Sequence, residues 1–413
     1  MKKHVKMRVS YAAAVYDKAE INAVNKVLAN PNHLVQGPLV KQFEQKIAFL
    51  FGKNHGVMVN SGSSANLIAI ESLNLPRGSE VITPVLTFAT TLAPLIQKGL
   101  VPVFVDVKPG TYVIDADKIE SLITSKTRLL MIPSLIGNIP DMIRLREIAK
   151  KYNLLFIEDS CDTLGAKFGG KPTGYYSDIS TTSFYASHII TAAASGGMIC
   201  FNNPELANRA LIMSNWGRNS TLFGFYEKSE ELKKRFAGVL DGDTYDAKFI
   251  FSEIGYNFQP TEINGAFGLE QLKKFPKFLK RRKDNFKELL KFFGRYENFF
   301  ILPKQDSRAD TAWLSFPLTI KPGVKFSRLD ITKYLEENNI QTRPIFTGNV
   351  LKQPAFRGIK GVKLAKGGYP VADYVMKNSF LIGCHQGMGR KHLDYMKGAF
   401  SEFLDKYDHK KNA

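Results

Sequence analysis

Three stretches of this sequence carry side chains that could bind an anion, hold a charge and move a proton. Asn60-Ser-Gly-Ser-Ser-Ala65 places a glycine and small hydroxyl residues where a helix is predicted to begin, and free N–H groups at a helix start can bind a phosphate. Asp159 ends an apolar run, and His188 lies within Ser183-Phe-Tyr-Ala-Ser-His-Ile-Ile-Thr191. An imidazole can transfer a proton near neutral pH. Each feature also has a structural interpretation, as a turn, a helix cap or a buried side chain.

Seven short apolar runs between about residues 55 and 202 predict the framework that positions these side chains. Continuous apolar strands separated by helical stretches favour a mostly parallel sheet with helices on both faces. Ligands bind such sheets at the carboxyl ends of the strands, which is where these three stretches lie. The predicted strands are Val57-Met-Val-Asn60, Glu80-Val-Ile-Thr83, Val103-Phe-Val-Asp106, Leu129-Leu-Met-Ile132, Leu154-Leu-Phe-Ile-Glu-Asp159, Ile179-Ser-Thr-Thr-Ser-Phe184 and Gly197-Met-Ile-Cys-Phe201.

The pattern changes beyond the predicted sheet. Residues 262–275 are predicted to be helical, and Pro276 should break or kink the chain after them, because proline lacks a backbone N–H group. Leu314-Ser-Phe-Pro-Leu-Thr-Ile320 is predicted to be another strand. We therefore predict a large domain with an N-terminal segment over residues 1–258, and a long helix with a small C-terminal domain over residues 259–413.

The composition is that of an ordinary globular enzyme. The chain has 413 residues, of which 44% are hydrophobic, and no apolar run approaches the roughly 20 residues that a membrane span needs. Cys161, Cys200 and Cys384 are far apart, which is typical of a reducing cytoplasm and shows no close-set metal-ligand spacing. We expect a cytoplasmic protein with no membrane span and no metal site.

The net charge is +19 at pH 7, and such an excess invites a nucleic-acid-binding hypothesis. Many of the basic residues lie between Lys277 and Lys287, where solvated helix faces explain them. No zinc-finger spacing or aromatic-basic RNA motif is present. We expect no nucleic-acid partner, and the charge could instead help to attract an anionic substrate such as a nucleotide sugar.

Five motifs occur in a fixed order along the chain. They are Ser61-Gly-Ser-Ser64, Phe88-Ala-Thr-Thr91, Glu158-Asp-Ser-Cys-Asp-Thr-Leu-Gly-Ala166, Ser183-Phe followed after three residues by His188, and Gly255-Tyr-Asn-Phe-Gln-Pro-Thr-Glu-Ile-Asn-Gly-Ala266. Over nearly the whole chain this set resembles the DegT/DnrJ/EryC1/StrS family of nucleotide-sugar aminotransferases. The resemblance implies a fold-type I PLP-dependent transferase of the aspartate aminotransferase superfold, an α/β protein with a mostly parallel central sheet and a smaller C-terminal α/β domain. It also implies a homodimer with its active site at the subunit interface.

The resemblance assigns contacts to pyridoxal phosphate (PLP). Gly62, Ser63 and Ser183 would hold its phosphate, and Asn257 would reach that phosphate from the partner subunit. Phe88 would cover the ring face, and Asp159 would pair with the pyridine nitrogen. Asp162 stands where the family usually has glutamine.

His188 stands where the family usually has the lysine that forms a Schiff base with PLP. A histidine at this position resembles the sugar 3-dehydratase subgroup, as do Asn215-Trp-Gly-Arg-Asn219, Thr342-Arg-Pro-Ile-Phe-Thr-Gly-Asn349 and His392-Leu-Asp-Tyr395. The resemblance implies non-covalent PLP or pyridoxamine phosphate (PMP) and L-glutamate as the amino donor. The substrate would be a GDP- or CDP-linked 4-keto-6-deoxysugar, which loses its C3 hydroxyl with His188 as the base. The product would be a 4-keto-3,6-dideoxysugar for bacterial surface polysaccharides.

Four further residues are candidates for substrate contacts: His33, Arg218, Arg343 and His385. The two arginines are chosen because a guanidinium group suits a pyrophosphate, although surface salt bridges would explain them equally well. The chain departs from the family pattern at Thr191-Ala-Ala-Ala-Ser-Gly-Gly197 and at Gln259.

The iron–sulfur branch of the subgroup, which acts on CDP-linked sugars, holds its cluster with four cysteines. This chain has Asn219-Ser-Thr-Leu-Phe223 where three of them would fall, and Cys161 alone cannot hold a cluster. We therefore expect no iron–sulfur cluster. Two alternatives stay open: a dehydratase that acts with a separate reductase, and a non-catalytic sugar-nucleotide-binding protein on the same fold.

Overall fold

The computed structural model describes residues 7–359, 362 and 364–407. The ends of the predicted domains 1–258 and 259–413 thus extend outside the described residues. No helix within the described ranges is both long enough and apolar enough to cross a lipid bilayer.

Nine strands lie between residues 7 and 206 of the described chain, and seven of them form the central sheet. Every predicted apolar run overlaps one of these seven strands. The nine strands are β1 (His55–Val59), β2 (Glu80–Pro84), β3 (Val101–Val105), β4 (Thr127–Pro133), β5 (Leu155–Asp159), β6 (Lys167–Phe168), β7 (Lys171–Pro172), β8 (Ile179–Ser183) and β9 (Gly197–Phe201).

The order in the central sheet is β1-β9-β8-β5-β4-β2-β3. Strands β3, β2, β4, β5 and β8 pair in parallel, whereas β9 pairs antiparallel with both β8 and β1. Only β9 therefore runs against the others. The predicted α/β class with a mostly parallel sheet is confirmed.

Both faces of this sheet are buried, as the unbroken apolar runs predict. Alternate side chains of a strand point to opposite faces, and along β4 Leu129 and Met131 belong to one hydrophobic cluster while Leu130 and Ile132 belong to another. The helices of this half of the chain are α1 (Lys18–Leu28), α2 (Pro38–Leu50), α3 (Gly62–Ser72), α4 (Ala89–Gln97), α5 (Met142–Lys151) and α6 (Pro204–Ser214).

A segment of short elements comes after α6. It contains the helix α7 (Leu232–Arg235) and an antiparallel hairpin of β10 (Gly238–Leu240) and β11 (Asp243–Tyr245). Several large apolar side chains of this segment are exposed, including Phe251 at 56% and Ile254 at 94%.

The longest helix, α8 (Glu262–Phe293), continues through Pro276. The predicted break at this proline is wrong. Proline removes one hydrogen bond from a helix, but Phe275 and Phe278 on either side are buried in the same cluster as Phe43 of α2. Leu289 and Phe293, nearer the end of α8, belong to the cluster of the C-terminal region. Packing along both halves of the helix outweighs the lost bond.

The C-terminal region is a smaller α/β unit with an aromatic core. Strands β12, β14 and β15 form an antiparallel sheet, and β13 pairs with β6. Phe293 packs against Phe316 and Phe400 with ring centroids 5.4 and 4.8 Å away. The elements are β12 (Phe300–Ile301), β13 (Ala309–Asp310), β14 (Phe316–Ile320), α9 (Arg328–Glu337), α10 (Pro370–Asn378), β15 (Ser379–Ile382) and α11 (Arg390–Asp405).

Candidate active site

A cavity of about 370 Å³ opens at the carboxyl ends of the parallel strands. This is the position that a doubly covered parallel sheet favours for ligands. No lysine is among its lining residues within the described part of the chain. Seven residues predicted from the sequence line it: Gly62, Ser63, Phe88, Asp159, Asp162, Ser183 and His188.

The amino end of α3 forms one wall of the cavity. Ser61 caps this eleven-residue helix by accepting a hydrogen bond from the Ser64 N–H. A Cβ atom at Gly62 would come within 2.6 Å of the Ser183 Cβ and 2.8 Å of the Cys161 Sγ. Only glycine therefore lets the helix approach β8 so closely. The free N–H groups of a first helical turn can bind an anion, and the hydroxyl residues Ser63 and Ser183 line the same cavity.

Asp159, at the end of β5, is held firmly by its neighbours. Its Oδ2 accepts hydrogen bonds from Asn66 Nδ2 at 2.8 Å and Thr91 Oγ1 at 2.7 Å, and its Oδ1 accepts one from the Cys161 N–H at 3.1 Å. Asn66 is in turn fixed by Thr181, whose hydroxyl donates to Asn66 Oδ1 at 2.6 Å. This network fixes a carboxylate at the base of the cavity.

His188 is half-buried on the loop after β8. Its Nδ1 lies 3.2 Å from the Ser183 carbonyl oxygen. Because a carbonyl can only accept, Nδ1 carries the proton and Nε2 has its lone pair free. Burial lowers the pKa of His188 to about 4, and the positive charge of Arg282 acts in the same direction. The imidazole is therefore neutral at pH 7, the form that can accept a proton.

Asp162 faces the same cavity, and its Oδ2 accepts a hydrogen bond from the Ile136 N–H at 2.8 Å. Burial raises the pKa of Asp162 to about 7, and the charge of Asp159 adds to the shift. A side chain with this pKa exchanges protons readily near neutral pH.

The raised pKa of Asp162 predicts a pH-dependent stability. Between its ordinary value of 3.8 and about 7 the folded state binds the proton more tightly than the unfolded state, so the free energy of unfolding should fall as pH rises through this window. Asp162→Asn should remove that loss, because the amide does not titrate. Urea unfolding of both proteins from pH 4 to 8 measures the difference.

Asp284→Asn, at an exposed position of α8, is the matched control and should change the pH dependence little. Parallel stability curves for the wild type and Asp162→Asn would contradict the prediction.

Aromatic side chains line the mouth of the cavity. Phe88 is 49% exposed and meets Phe346 edge to face, with ring centroids 5.7 Å apart. Tyr185 is 60% exposed and meets the His188 ring edge to face at 6.2 Å. The faces of these rings are available to a flat ligand.

Five predicted residues lie outside the cavity, and three of them are Asn257, His33 and Arg218. Asn257 is exposed, on the segment before α8. His33 stacks on Tyr226 with ring centroids 3.9 Å apart and lines a separate surface cleft. The Arg218 guanidinium lies 4.1 Å above the ring of Trp216 in another cleft, and its Nε is buried without a partner among the described residues.

The remaining two predicted residues contact the protein itself. Arg343 is exposed and donates to the Thr342 carbonyl oxygen at 2.7 Å. His385 is only 4% exposed, its Nε2 donates to the Ser10 carbonyl at 3.1 Å and its Nδ1 accepts from the Gly387 N–H at 3.2 Å. Both ring nitrogens of His385 are thus used within the chain, so we do not include it in the substrate site.

The divergent turn from Thr191 to Gly197 does not line the cavity. Ala193 and Ala194 have φ of 55° and 70°, a conformation that costs a residue other than glycine about 1 kcal/mol. The Thr191 hydroxyl accepts from the Ala194 N–H at 2.9 Å, and Asn264 Nδ2 donates to the Ala192 carbonyl at 2.8 Å. These bonds support the turn.

The cysteines lie in three different places. Cys161 lines the cavity, Cys200 is buried on β9 and Cys384 is buried near Trp313. Within the described ranges, no three histidine, cysteine, aspartate or glutamate side chains gather as metal ligands would.

The sequence did not reveal which residues hold Asp159 in place. Asn66 and Thr91 contact Asp159 across 93 and 68 residues of chain, which no local pattern reveals. The one usable signal for Asn66 was a polar residue directly between the apolar residues Ala65 and Leu67 of α3, since such a residue needs a buried partner.

Comparisons with known proteins place this geometry among sugar-modifying enzymes. A family model described as the DegT/DnrJ/EryC1/StrS aminotransferase family matches residues 15–401. The chain is 37% identical to the lipopolysaccharide biosynthesis protein RfbH of Salmonella typhimurium over 90% of this chain and 86% of that protein. It is 35% identical to dTDP-4-dehydro-2,6-dideoxy-D-glucose 3-dehydratase of Saccharopolyspora spinosa over 90% and 82%.

A solved structure with the same fold is that of GDP-4-keto-6-deoxymannose-3-dehydratase with a trapped PLP-glutamate geminal diamine. It superposes with a TM-score of 0.83 at 29% identity and covers 95% of this chain and 99% of that chain.

Proposed function

Because the chain belongs to the DegT/DnrJ/EryC1/StrS aminotransferase family, we propose that it is a PLP/PMP-dependent sugar 3-dehydratase. It removes the C3 hydroxyl of a nucleotide-linked 4-keto-6-deoxyhexose and forms a 4-keto-3,6-dideoxysugar for bacterial surface polysaccharide. The observation that carries the proposal is His188, a neutral imidazole with a free Nε2 in a cavity that no lysine lines among the described residues.

The residues of the cavity fit PLP. The first turn of α3, which Gly62 allows close to β8, and the hydroxyls of Ser63 and Ser183 would hold the phosphate. The fixed carboxylate of Asp159 would pair with the pyridine nitrogen, and Phe88 would cover a ring face. When bound, the cofactor supplies an amino group for the sugar ketone and a ring that withdraws electrons from the reacting carbon.

The protein side chains then have separate tasks. Asp159 would pair with the ring nitrogen, and its three hydrogen bonds hold the carboxylate in position. His188 accepts a proton on Nε2 and returns it to the departing C3 hydroxyl, which leaves as water. Lysine at this position would link covalently to the cofactor and favour an aminosugar product.

Glutamate is the proposed amino donor, and it closes the electron balance. Its oxidation to 2-oxoglutarate supplies two electrons, which reduce C3 of the sugar as the hydroxyl departs. Glutamate and the 4-keto-6-deoxysugar thus give 2-oxoglutarate, ammonia and the 3-deoxysugar, with no further reductant. The three cysteines of the whole chain are too few for a four-cysteine iron–sulfur cluster.

We propose that the enzyme is a homodimer in which Asn257 and Arg218 serve the partner's cavity. Both residues lie outside the cavity of their own chain, and exposed apolar side chains such as Phe251 and Ile254 lie between them in sequence. Sedimentation should give twice the chain mass, whereas a monomer would remove these two residues from the site.

The function is tested by incubating the purified protein with PLP, glutamate and 4-keto-6-deoxysugars linked to GDP, CDP or dTDP. Mass spectrometry should show a sugar product that has lost one oxygen atom, with ammonia and 2-oxoglutarate released in equal amounts. Omission of glutamate is the control and should stop turnover. A stable 4-amino sugar as the sole product would refute dehydration, and failure to bind PLP or PMP would favour a non-catalytic sugar-nucleotide-binding protein.

A further inference from the structure

Arg282 is a fully buried cation on α8, and no carboxylate lies within ion-pair distance of it in the described part of the chain. Its guanidinium donates only to neutral oxygens: Gln386 Oε1 at 2.6 Å, the Leu314 carbonyl at 2.9 Å, the Trp313 carbonyl at 3.3 Å and the His188 carbonyl at 3.5 Å. Burying a charge without a counter-charge is costly. A buried cation in this arrangement therefore calls for a functional explanation.

Two of the four contacts link Arg282 to the loop that carries His188, one directly at the His188 carbonyl and one through Gln386. Gln386, which accepts from Arg282 Nε, donates from its own Nε2 to the Ile189 carbonyl at 3.1 Å. The consecutive carbonyls of residues 188 and 189 are therefore both held, one by Arg282 and the other by Gln386. On its other side, His188 Nδ1 contacts the Ser183 carbonyl. The loop is fixed from two directions.

The positive charge of Arg282 also affects the protonation of the His188 imidazole. The groups around His188 that carry or can carry charge are Arg282 from α8, Asp159 at the end of β5, and Cys161, Asp162 and Tyr185 in the cavity wall. Arg282 opposes protonation of His188, and Asp159 favours it. Since Asp159 is needed for the pyridine nitrogen, a buried cation nearby offsets its pull on the imidazole.

We infer that Arg282 is a positioning residue for the proposed reaction: it anchors the backbone of His188, and its positive charge opposes protonation of the imidazole, so that Nε2 can act as the base. This inference rests on the proposed function, in which His188 moves the proton.

Two variants distinguish the effect of the Arg282 charge from the effect of the hydrogen bonds that hold the His188 loop. Arg282→Met removes both the charge and the carbonyl contacts, whereas Gln386→Leu removes the contact to Ile189 but leaves the charge. NMR titration of labelled histidines reports the pKa of His188 in the protein without cofactor or substrate. The chain has seven histidines, and His188→Asn identifies the signal.

In Arg282→Met the pKa of His188 should rise by about 0.5 to 1.5 units, and the acid limb of the turnover profile should move to higher pH. In Gln386→Leu the pKa should stay at the wild-type value while turnover falls. Arg282→Lys should restore part of the shift but not the forked contacts.

An unchanged pKa of His188 in a folded Arg282→Met protein would overturn the inference. If Arg282→Met does not fold, wild-type turnover in Arg282→Lys would overturn the anchoring role. Because the titration needs neither cofactor nor substrate, failure of the wild type to dehydrate any sugar would refute the proposed function without moving this readout.

Discussion

His188→Lys is expected to abolish C3 dehydration and to link the cofactor to the chain. The neutral Nε2 would be lost as a base, and a positioned general base contributes roughly 10²- to 10⁴-fold to a rate. The lysine amine can bond to the aldehyde of PLP, which an imidazole cannot do. After borohydride reduction, the intact mass of the variant should increase by the reduced cofactor, whereas the wild-type mass should stay unchanged.

His188→Asn is the matched control for that experiment. It has neither an amine nor a titrating nitrogen, so it should lose dehydration without gaining the covalent link. If His188→Lys dehydrated the sugar at the wild-type rate, the histidine would have no part in the proton transfer.

Asp159→Asn should cause the second large loss. An amide carries no negative charge to keep a pyridine nitrogen protonated, so the bound ring would withdraw electrons less strongly. Loss of one preorganised electrostatic contact of this kind typically lowers turnover by about 10²- to 10³-fold. The amide oxygen can still accept from Asn66 and Thr91, but its NH₂ group would then face the Cys161 N–H, which donates to Asp159 Oδ1 in the wild type.

Thr91→Val tests whether Asp159 acts through its negative charge or through the hydrogen bonds that hold it. It removes one hydrogen bond to Asp159 but leaves the carboxylate in place, so turnover should fall much less than in Asp159→Asn. Single-turnover rates and the absorbance of bound PLP measure both variants. Equal losses in the two would mean that Asp159 acts through the packing of the network rather than through its charge.

Much of the sheet could be predicted because burial on both faces leaves a direct trace in sequence. The run Gly197–Phe201 coincides with β9, and Ile179–Phe184 exceeds β8 by a single residue. The reversed direction of β9 could not be predicted, because an apolar run has the same pattern in a parallel and in an antiparallel strand. The helix through Pro276 was missed because its stability comes from distant partners such as Phe43.

The candidate site was predictable where a residue stands at the end of a strand. Asp159 ends β5, while Gly62 and His188 follow the ends of β1 and β8 by three and five residues, and all three line one cavity. His385 shows the opposite case, because its two hydrogen-bond partners include Ser10, which is 375 residues away in sequence. The supporting role of Arg282 was equally invisible, since a helical arginine among lysines usually faces solvent.

Helix α8 couples the unfolding of the two halves of the molecule. At 1.5 Å per residue its 32 residues span about 48 Å, with Phe275 and Phe278 in one core and Leu289 and Phe293 in the other. Loss of either core would uncover part of the same helix, so the halves should melt in a single cooperative transition. Heat or denaturant would then destroy the cofactor cavity and the C-terminal unit together, and a fragment that ends before α8 would lack the residues that hold the His188 loop.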